Sequence, residues 1–220
     1  IDIAPFNRLH GMQIDAQGRL YALSEDRAQL AVLEQPATDT APRRAVSTGG
    51  IKSHLFALSR DGQTAYAMNL LSHTVTKIKP YDASFAPVAC SPGEKPEGYA
   101  LSADEKTLYV TCRWSNTLAA IDTDTMQVLC TAPSRADATR LYLCRDGRLL
   151  VTNYGERSIS VVDPHTLRAP AHIRMQARPI ALTLHPSRPP PFVPQHDDQP
   201  GDLNPYTPPI ARLLSTQRPP

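Results

Sequence analysis

The chain has 220 residues, 41% of them hydrophobic and 20% charged, and a formal net charge of +2. That length can bury a sizeable core, and that composition suits a folded chain rather than a disordered one. A charge so near neutral gives no bulk attraction to nucleic acid or an acidic membrane, so any such role would rest on local clusters. No apolar run approaches the roughly 18 residues of a membrane-spanning helix. The opening stretch IDIAPFNRLHG carries neither the basic nor the apolar segment of a signal peptide.

In chain order, four stretches share one pattern: GRLYALSEDRAQLAVLE from Gly18, GQTAYAMNLLSHTVTKIK from Gly62, KTLYVTCRWSNTLAAID from Lys106 and GRLLVTNYGERSISVVD from Gly147. Each has an alternating apolar run, a polar break and a second alternating run. Each follows a shorter run and a tight turn: MQIDAQG, FALSRDG, YALSADE and LYLCRDG. The central residues Tyr21, Tyr66, Tyr109, Leu150 and Phe192 recur every 41–45 residues. A period in the forties built from period-two strands marks β-propeller blades, whereas helical repeats would space apolar residues by three and four.

The reading is therefore an all-β propeller of about four intact four-stranded antiparallel blades, at about 6–50, 51–94, 95–136 and 137–178, with a degenerate fifth from 179. In the third unit the four strands, a to d from the channel outward, are placed at 97–102, 107–112, 117–122 and about 127–131. Asp61-Gly62, Asp104-Glu105 and Asp146-Gly147 make the turns between a and b, where Asp bonds the backbone ahead and Gly takes a positive φ. Twelve of the 22 prolines fall between Pro179 and Pro220. Because proline cannot donate to a ladder, Pro189, Pro190, Pro191 and Pro194 argue against a central strand there. Residues 187–220 are read as an irregular proline-rich tail.

The third unit contains Lys95-Pro96-Glu97-Gly98, Leu101-Ser102-Ala103-Asp104, Leu108-Tyr109-Val110-Thr111, Ser115-Asn116-Thr117-Leu118 and Ile121-Asp122. The fourth contains Leu150-Val151-Thr152-Asn153, Ser158-Ile159-Ser160-Val161 and Val162-Asp163-Pro164. These units resemble the YVTN family of propeller repeats over about residues 6–185. The resemblance implies closed rings, usually of seven blades, and a periplasmic or extracellular location. Four intact units cannot close such a ring alone, so open blade faces are expected to be available for self-association.

Equivalent positions in successive blades should share one rim. Just before strand a stand Arg8, Lys52, Lys95, Asp137 and Arg178, and two residues on stand His10, His54, Glu97, Thr139 and Ile180. Arg8, Lys52, Lys95 and Arg178 form an expected basic arc over a polar rung of His10, His54 and Glu97. One reading is a solvated rim. A second is a mouth that binds a protein partner or a small anionic ligand through Arg and Lys. A third is chemistry, with two His and a carboxylate holding a divalent metal or acting as acid and base. Lys52-Ser53-His54-Leu55 distantly resembles the basic-plus-His motif of propeller lactonases, which implies a hydrolase as the alternative to a binding module, with a structural envelope repeat protein as the third.

Trp114, beside Arg113, is placed to stack on a ligand or partner, or simply to pack. His196-Asp197-Asp198 could contact a metal or form a solvated patch. No G-x-S-x-G elbow, P-loop or H-E-x-x-H occurs. None of Cys90, Cys112, Cys130 and Cys144 lies in a C-x-x-C pair, so no cofactor is assigned and the cysteines are read as buried free thiols.

Overall fold

The computed structural model describes residues 6–182 in full and, beyond them, the backbone of two strands at 193–196 and 203–206. The first blade comprises β1 (Leu9–Ile14), β2 (Leu20–Ser24), β3 (Gln29–Leu33) and β4 (Arg44–Ser47). The second comprises β5 (Ser53–Leu58), β6 (Ala65–Asn69), β7 (Thr74–Ile78) and β8 (Val88–Cys90). The third comprises β9 (Pro96–Leu101), β10 (Thr107–Cys112), β11 (Thr117–Asp122) and β12 (Val128–Pro133). The fourth comprises β13 (Ala138–Leu143), β14 (Leu149–Asn153), β15 (Ser158–Val162) and β16 (Ala171–Arg174). Each blade is an antiparallel meander in chain order, and the described residues contain no helix. In the third unit the two middle strands fall on their expected residues, while the outer pair differ by one or two.

Every residue of β6, β14 and β15 is buried, because a blade has a neighbour on both faces. Alternate residues of one strand therefore serve two cores. Leu108 and Val110 pack toward blade two with Tyr66, Met68 and Val75, whereas Tyr109 packs toward blade four with Leu149, Val151 and Val162. Tyr21, Leu23 and Phe56 fill the seam between blades one and two. The outermost strands are wetter: β12 is largely exposed, and Cys130 on it is exposed although a buried thiol was expected. All four cysteines are free, with Cys112 buried and Cys90 and Cys144 half-buried.

The a–b turns behave as their sequences require. Asp61 Oδ1 accepts from Ser59 Oγ (2.6 Å) and from the Gln63 amide (2.9 Å), and Gly62 takes a φ of 70°. In the third blade Glu105 takes the left-handed position at 61°, while Asp104 Oδ1 plays the same bonding part toward Ser102 and Lys106.

The tail reading needs amendment. β17 (Arg178–Pro179), β18 (Val193–His196) and β19 (Leu203–Tyr206) form a three-stranded sheet with β18 in the middle. Pro194 lies opposite Pro205, and β17 ends at the Pro179–Gln195 pair. The missing N–H of Pro194 thus falls where the ladder on that side has stopped, which is how a proline fits a central strand. Pro189, Pro190 and Pro191 lie outside the described residues.

Strand b ends on a buried Asn in blades two and four, and the two sites differ. Asn69 Nδ2 donates to Thr74 and Thr76, and its Oδ1 accepts from Ser53 Oγ at 2.6 Å. Asn153 Nδ2 donates likewise to Ser158 and Ser160, yet its Oδ1 has no partner. The residue paired with Asn153 is Ala138, as Ser53 is paired with Asn69. A buried acceptor left unbonded costs stability. Ala138→Ser should therefore raise stability by about 1 kcal/mol, read as a higher urea midpoint at unchanged slope; a lower midpoint would refute this account of the pair.

Candidate functional site at the channel mouth

The chain enters each blade through the same local geometry. Arg8, Lys52, Lys95 and Asp137 all have positive φ, at 51°, 60°, 56° and 58°, in the left-handed region that L-residues avoid at a cost of about 1–3 kcal/mol. Each is locked there by one bond: its carbonyl accepts from the amide of the first b–c loop residue, namely Glu25 (3.2 Å), Leu70 (3.0 Å), Arg113 (3.0 Å) and Tyr154 (3.0 Å). The register then slips by one residue in all four blades, between Leu9 and Met12, Ser53 and Leu55, Pro96 and Tyr99, and Ala138 and Arg140. A bulge re-aims the side chain it carries, and these carry His10, His54, Glu97 and Thr139. Gly98 follows directly, and a methyl there would come within 2.6 Å of the Thr139 carbonyl, so blade four can approach only a glycine.

Two of the three rung residues meet a charge that the start of strand a does not reveal. Glu25 is 3% exposed; it accepts from Arg8 Nε at 2.6 Å, pairs with Lys52 Nζ at 2.9 Å and bonds His54 Nδ1. Glu97, also buried, takes Arg140 Nη1 at 2.6 Å and Arg113 Nη1 at 3.1 Å. His54 Nε2 lies 3.9 Å from Glu97 Oε1, so the imidazole stands between two carboxylates. His10 stacks on His54 with ring centroids 3.6 Å apart. Arg113 is also bidentate to Asp137, through Nε and through Nη2 at 2.9 Å.

These contacts set the charge states. Burial alone would raise the Glu25 pKa, but the bonds from His54 and Lys52 outweigh it and hold the carboxyl at about 2. Burial likewise opposes ionisation of Glu97, and the Arg140 and Arg113 guanidiniums override it and lower its pKa. The His10 pKa is lowered, first by burial and then by the neighbouring His54, so His10 is neutral at pH 7. Asp137, against partial desolvation, raises the Arg113 pKa.

The expected basic arc is thus divided. Arg8 and Lys52 share Glu25, Lys95 Nζ rests 4.7 Å above the Trp114 ring, and the Arg178 guanidinium lies 5.1 Å from the Tyr154 ring. Trp114 is 54% exposed, flanked by His73 at 5.8 Å. The rung holds together as His10, His54 and Glu97, but blade four contributes Arg140 rather than Thr139, whose hydroxyl turns back to the Asp137 carbonyl at 2.9 Å. The metal reading fails on geometry: among the described residues no three His, Cys, Asp or Glu are grouped to hold an ion. The two imidazoles stack instead of converging, and Glu97 is already clamped by arginines. The side chains of His196, Asp197 and Asp198 lie outside the described residues. Sequence reading missed Glu25, Arg113 as a clamp, and Arg140; aligning the first b–c loop residue across the blades would have found the first two.

No protein-family model and no curated protein sequence matches the chain. Solved structures match its fold. Virginiamycin B lyase from Staphylococcus aureus superposes with a TM-score of 0.71 at 11% identity, over 85% of this chain and 64% of its own. The Kuenenia stuttgartiensis hydrazine synthase matches with 0.71 at 16% identity, over 93% and 70%. A putative 6-phosphogluconolactonase from Bacteroides uniformis matches with 0.64 at 15% identity, over 82% and 60%. The chain thus has the propeller fold and spans less than two thirds of the lyase's length.

The depressed carboxyls make a pH prediction. A carboxylate held below its ordinary value stabilises the fold fully above that value and loses its contribution as pH falls toward the folded one. For Glu25 that window runs from 4.5 down to about 2. The melting-point gap between the wild type and Glu25→Gln should be largest near neutrality and should close across that window. A gap independent of pH would show that Glu25 is not ionised in the fold.

Proposed function

We propose that the channel mouth binds a small anionic ligand with an apolar part, a phosphate or carboxylate ester or acid of modest size. The observation that carries this reading is the layering of charge. The Glu25 side chain is 3% exposed while the Arg8 side chain bonded to it is 63% exposed, and Lys52 and Arg113 are more exposed than Glu25 and Glu97, while Asp26 and Asp137 pair with them from nearer the surface. The two buried acids, Glu25 and Glu97, lie beneath the bases that clamp them, so a ligand meets cations already held in place. Preorganised Arg and Lys donors suit carboxylate and phosphate oxygens. Trp114, beside His73 of the blade-two loop that also carries exposed Leu71 bonded to exposed Ile51, offers the apolar part a surface. Membership of the YVTN repeat type remains part of the same proposal, on the repeat sequence alone.

A second reading has its own support. His54 is oriented through Nδ1 by a buried carboxylate, and a neutral His10 lies against it. Carboxylate-oriented imidazole beside a neutral base is an acid–base arrangement, and two of the fold neighbours are a lyase and a putative 6-phosphogluconolactonase.

Calorimetric titration with a panel of sugar phosphates and aryl carboxylates separates the readings. Binding should weaken steeply with added salt, and Arg8→Ala and Lys52→Ala should each weaken it roughly tenfold. Binding indifferent to salt and to both substitutions would sink the anion reading. Lactone opening by the wild type that His54→Ala abolishes would establish the catalytic one in its place.

A further inference from the structure

Arg113 and Arg140 both clamp Glu97 through Nη1, yet the rest of each guanidinium is used differently. Arg113 turns the edge formed by Nε and Nη2 to Asp137, which it holds bidentate. Arg140 spends Nη1 a second time, on the Thr139 carbonyl at 3.1 Å, and among the described residues nothing bonds its Nε or Nη2. Neither atom is sealed. Among the described residues the buried side-chain nitrogens and oxygens without a partner are Arg135 Nε and Asn153 Oδ1 alone, so both free nitrogens of Arg140 reach the surface. The Arg140 side chain is 19% exposed.

The strand places that edge. β9 and β13 are the innermost strands of blades three and four, so Glu97 and Arg140 meet on the channel wall. The charge is felt by the side chains around it. After burial and His54, Arg140 is the next group that lowers the His10 pKa, and it opposes the burial that pushes Tyr99 up to about 12. The edge itself presents two parallel N–H donors at the spacing of the two oxygens of one carboxylate. That spacing is built into the guanidinium and asks nothing of the blades. The bonds to Glu97 and Thr139 also fix the group before a ligand arrives, which spares the cost of ordering it. Arg113 and Arg140 balance Glu97 and Asp137, so a monoanion adds one negative charge to a neutral cluster. A dianion would set two beside Glu97.

We propose that Arg140 is the specificity-determining residue of the mouth and takes a ligand monocarboxylate bidentate on its Nε–Nη2 edge, which rests on the anion reading of the mouth. Arg8 and Lys52 attract the anion, and the Arg140 edge favours a planar carboxylate over a tetrahedral phosphate.

Calorimetric titration of the whole chain with benzoate, phenyl phosphate and benzamide tests this, since the three share a ring and differ in the group offered to Arg140. Benzoate should bind, and benzamide should bind roughly tenfold more weakly or worse. Arg140→Lys keeps a cation beside Glu97 and loses the edge. It should weaken benzoate roughly tenfold and phenyl phosphate about twofold or less, because lysine serves phosphate as a point charge. A merely structural role would weaken both anions alike. In the wild type, where no substitution can disturb the fold, the Arg140 Nε–H proton signal should move downfield and exchange more slowly with water as benzoate is added. Equal losses for the two anions, an unmoved Nε–H signal, or benzoate binding untouched by Arg140→Lys overturns the role of Arg140 and leaves the anion reading standing. No binding of either anion, or benzamide bound as tightly as benzoate, overturns both.

Discussion

One backbone hydrogen bond, made four times, organises this molecule. It runs from the amide of the first b–c loop residue to the carbonyl of the residue that precedes strand a. It ties the top of one strand to the start of its neighbour and holds the latter residue at positive φ. The bulge that follows turns the next side chain toward the mouth. A pair of positions is thereby fixed in every blade, one on the loop and one on the strand, whatever residues stand there. The scaffold supplies placement, and the residue types supply chemistry.

The charges then bind the blades to one another. Glu25 of blade one holds Lys52 and His54 of blade two. His54 approaches Glu97 of blade three, and Glu97 with Arg113 engages Arg140 and Asp137 of blade four. A buried carboxylate is tolerable only with its partners, and removing one from such a pair costs about 3–5 kcal/mol. The same contacts that hold the seams closed therefore keep the mouth cations in fixed positions. Stability and recognition draw on one set of bonds, so an altered mouth will also be an altered seam.

The blades were legible in the sequence because each strand records its surroundings directly. Period-two alternation in Leu108-Tyr109-Val110 reflects two cores, and Asp104 marks a turn that needs only local bonds. The rung at His10, His54 and Glu97 was legible because it recurs in one aligned column. Arg140 was not, since Thr139 in the aligned column turns its hydroxyl back to the Asp137 carbonyl and the next residue supplies the charge that reaches Glu97. Glu25 escaped for a different reason: its partner His54 is 29 residues away, as Arg140 is 43 from Glu97. Such pairings arise only when blades stack, and composition or spacing within one repeat holds no trace of them. Pro194 misled because proline was weighed against a full ladder, and the ladder beside it is short.

In a repeat fold the departures from the repeat carry the specificity. Ser53 and Ala138 occupy equivalent places beneath equivalent asparagines, and one closes a hydrogen-bond chain that the other leaves open. Glu25, Leu70, Arg113 and Tyr154 occupy another such place, and their differences assign acid, apolar contact, base and aromatic face to successive quarters of the mouth. Substitutions at these places leave the backbone bonds intact, because those bonds use only main-chain atoms. The cost of changing a ligand preference is then confined to side chains and their immediate partners. The mouth is consequently the product of one arrangement, a backbone that repeats and a small set of positions where the sequence does not.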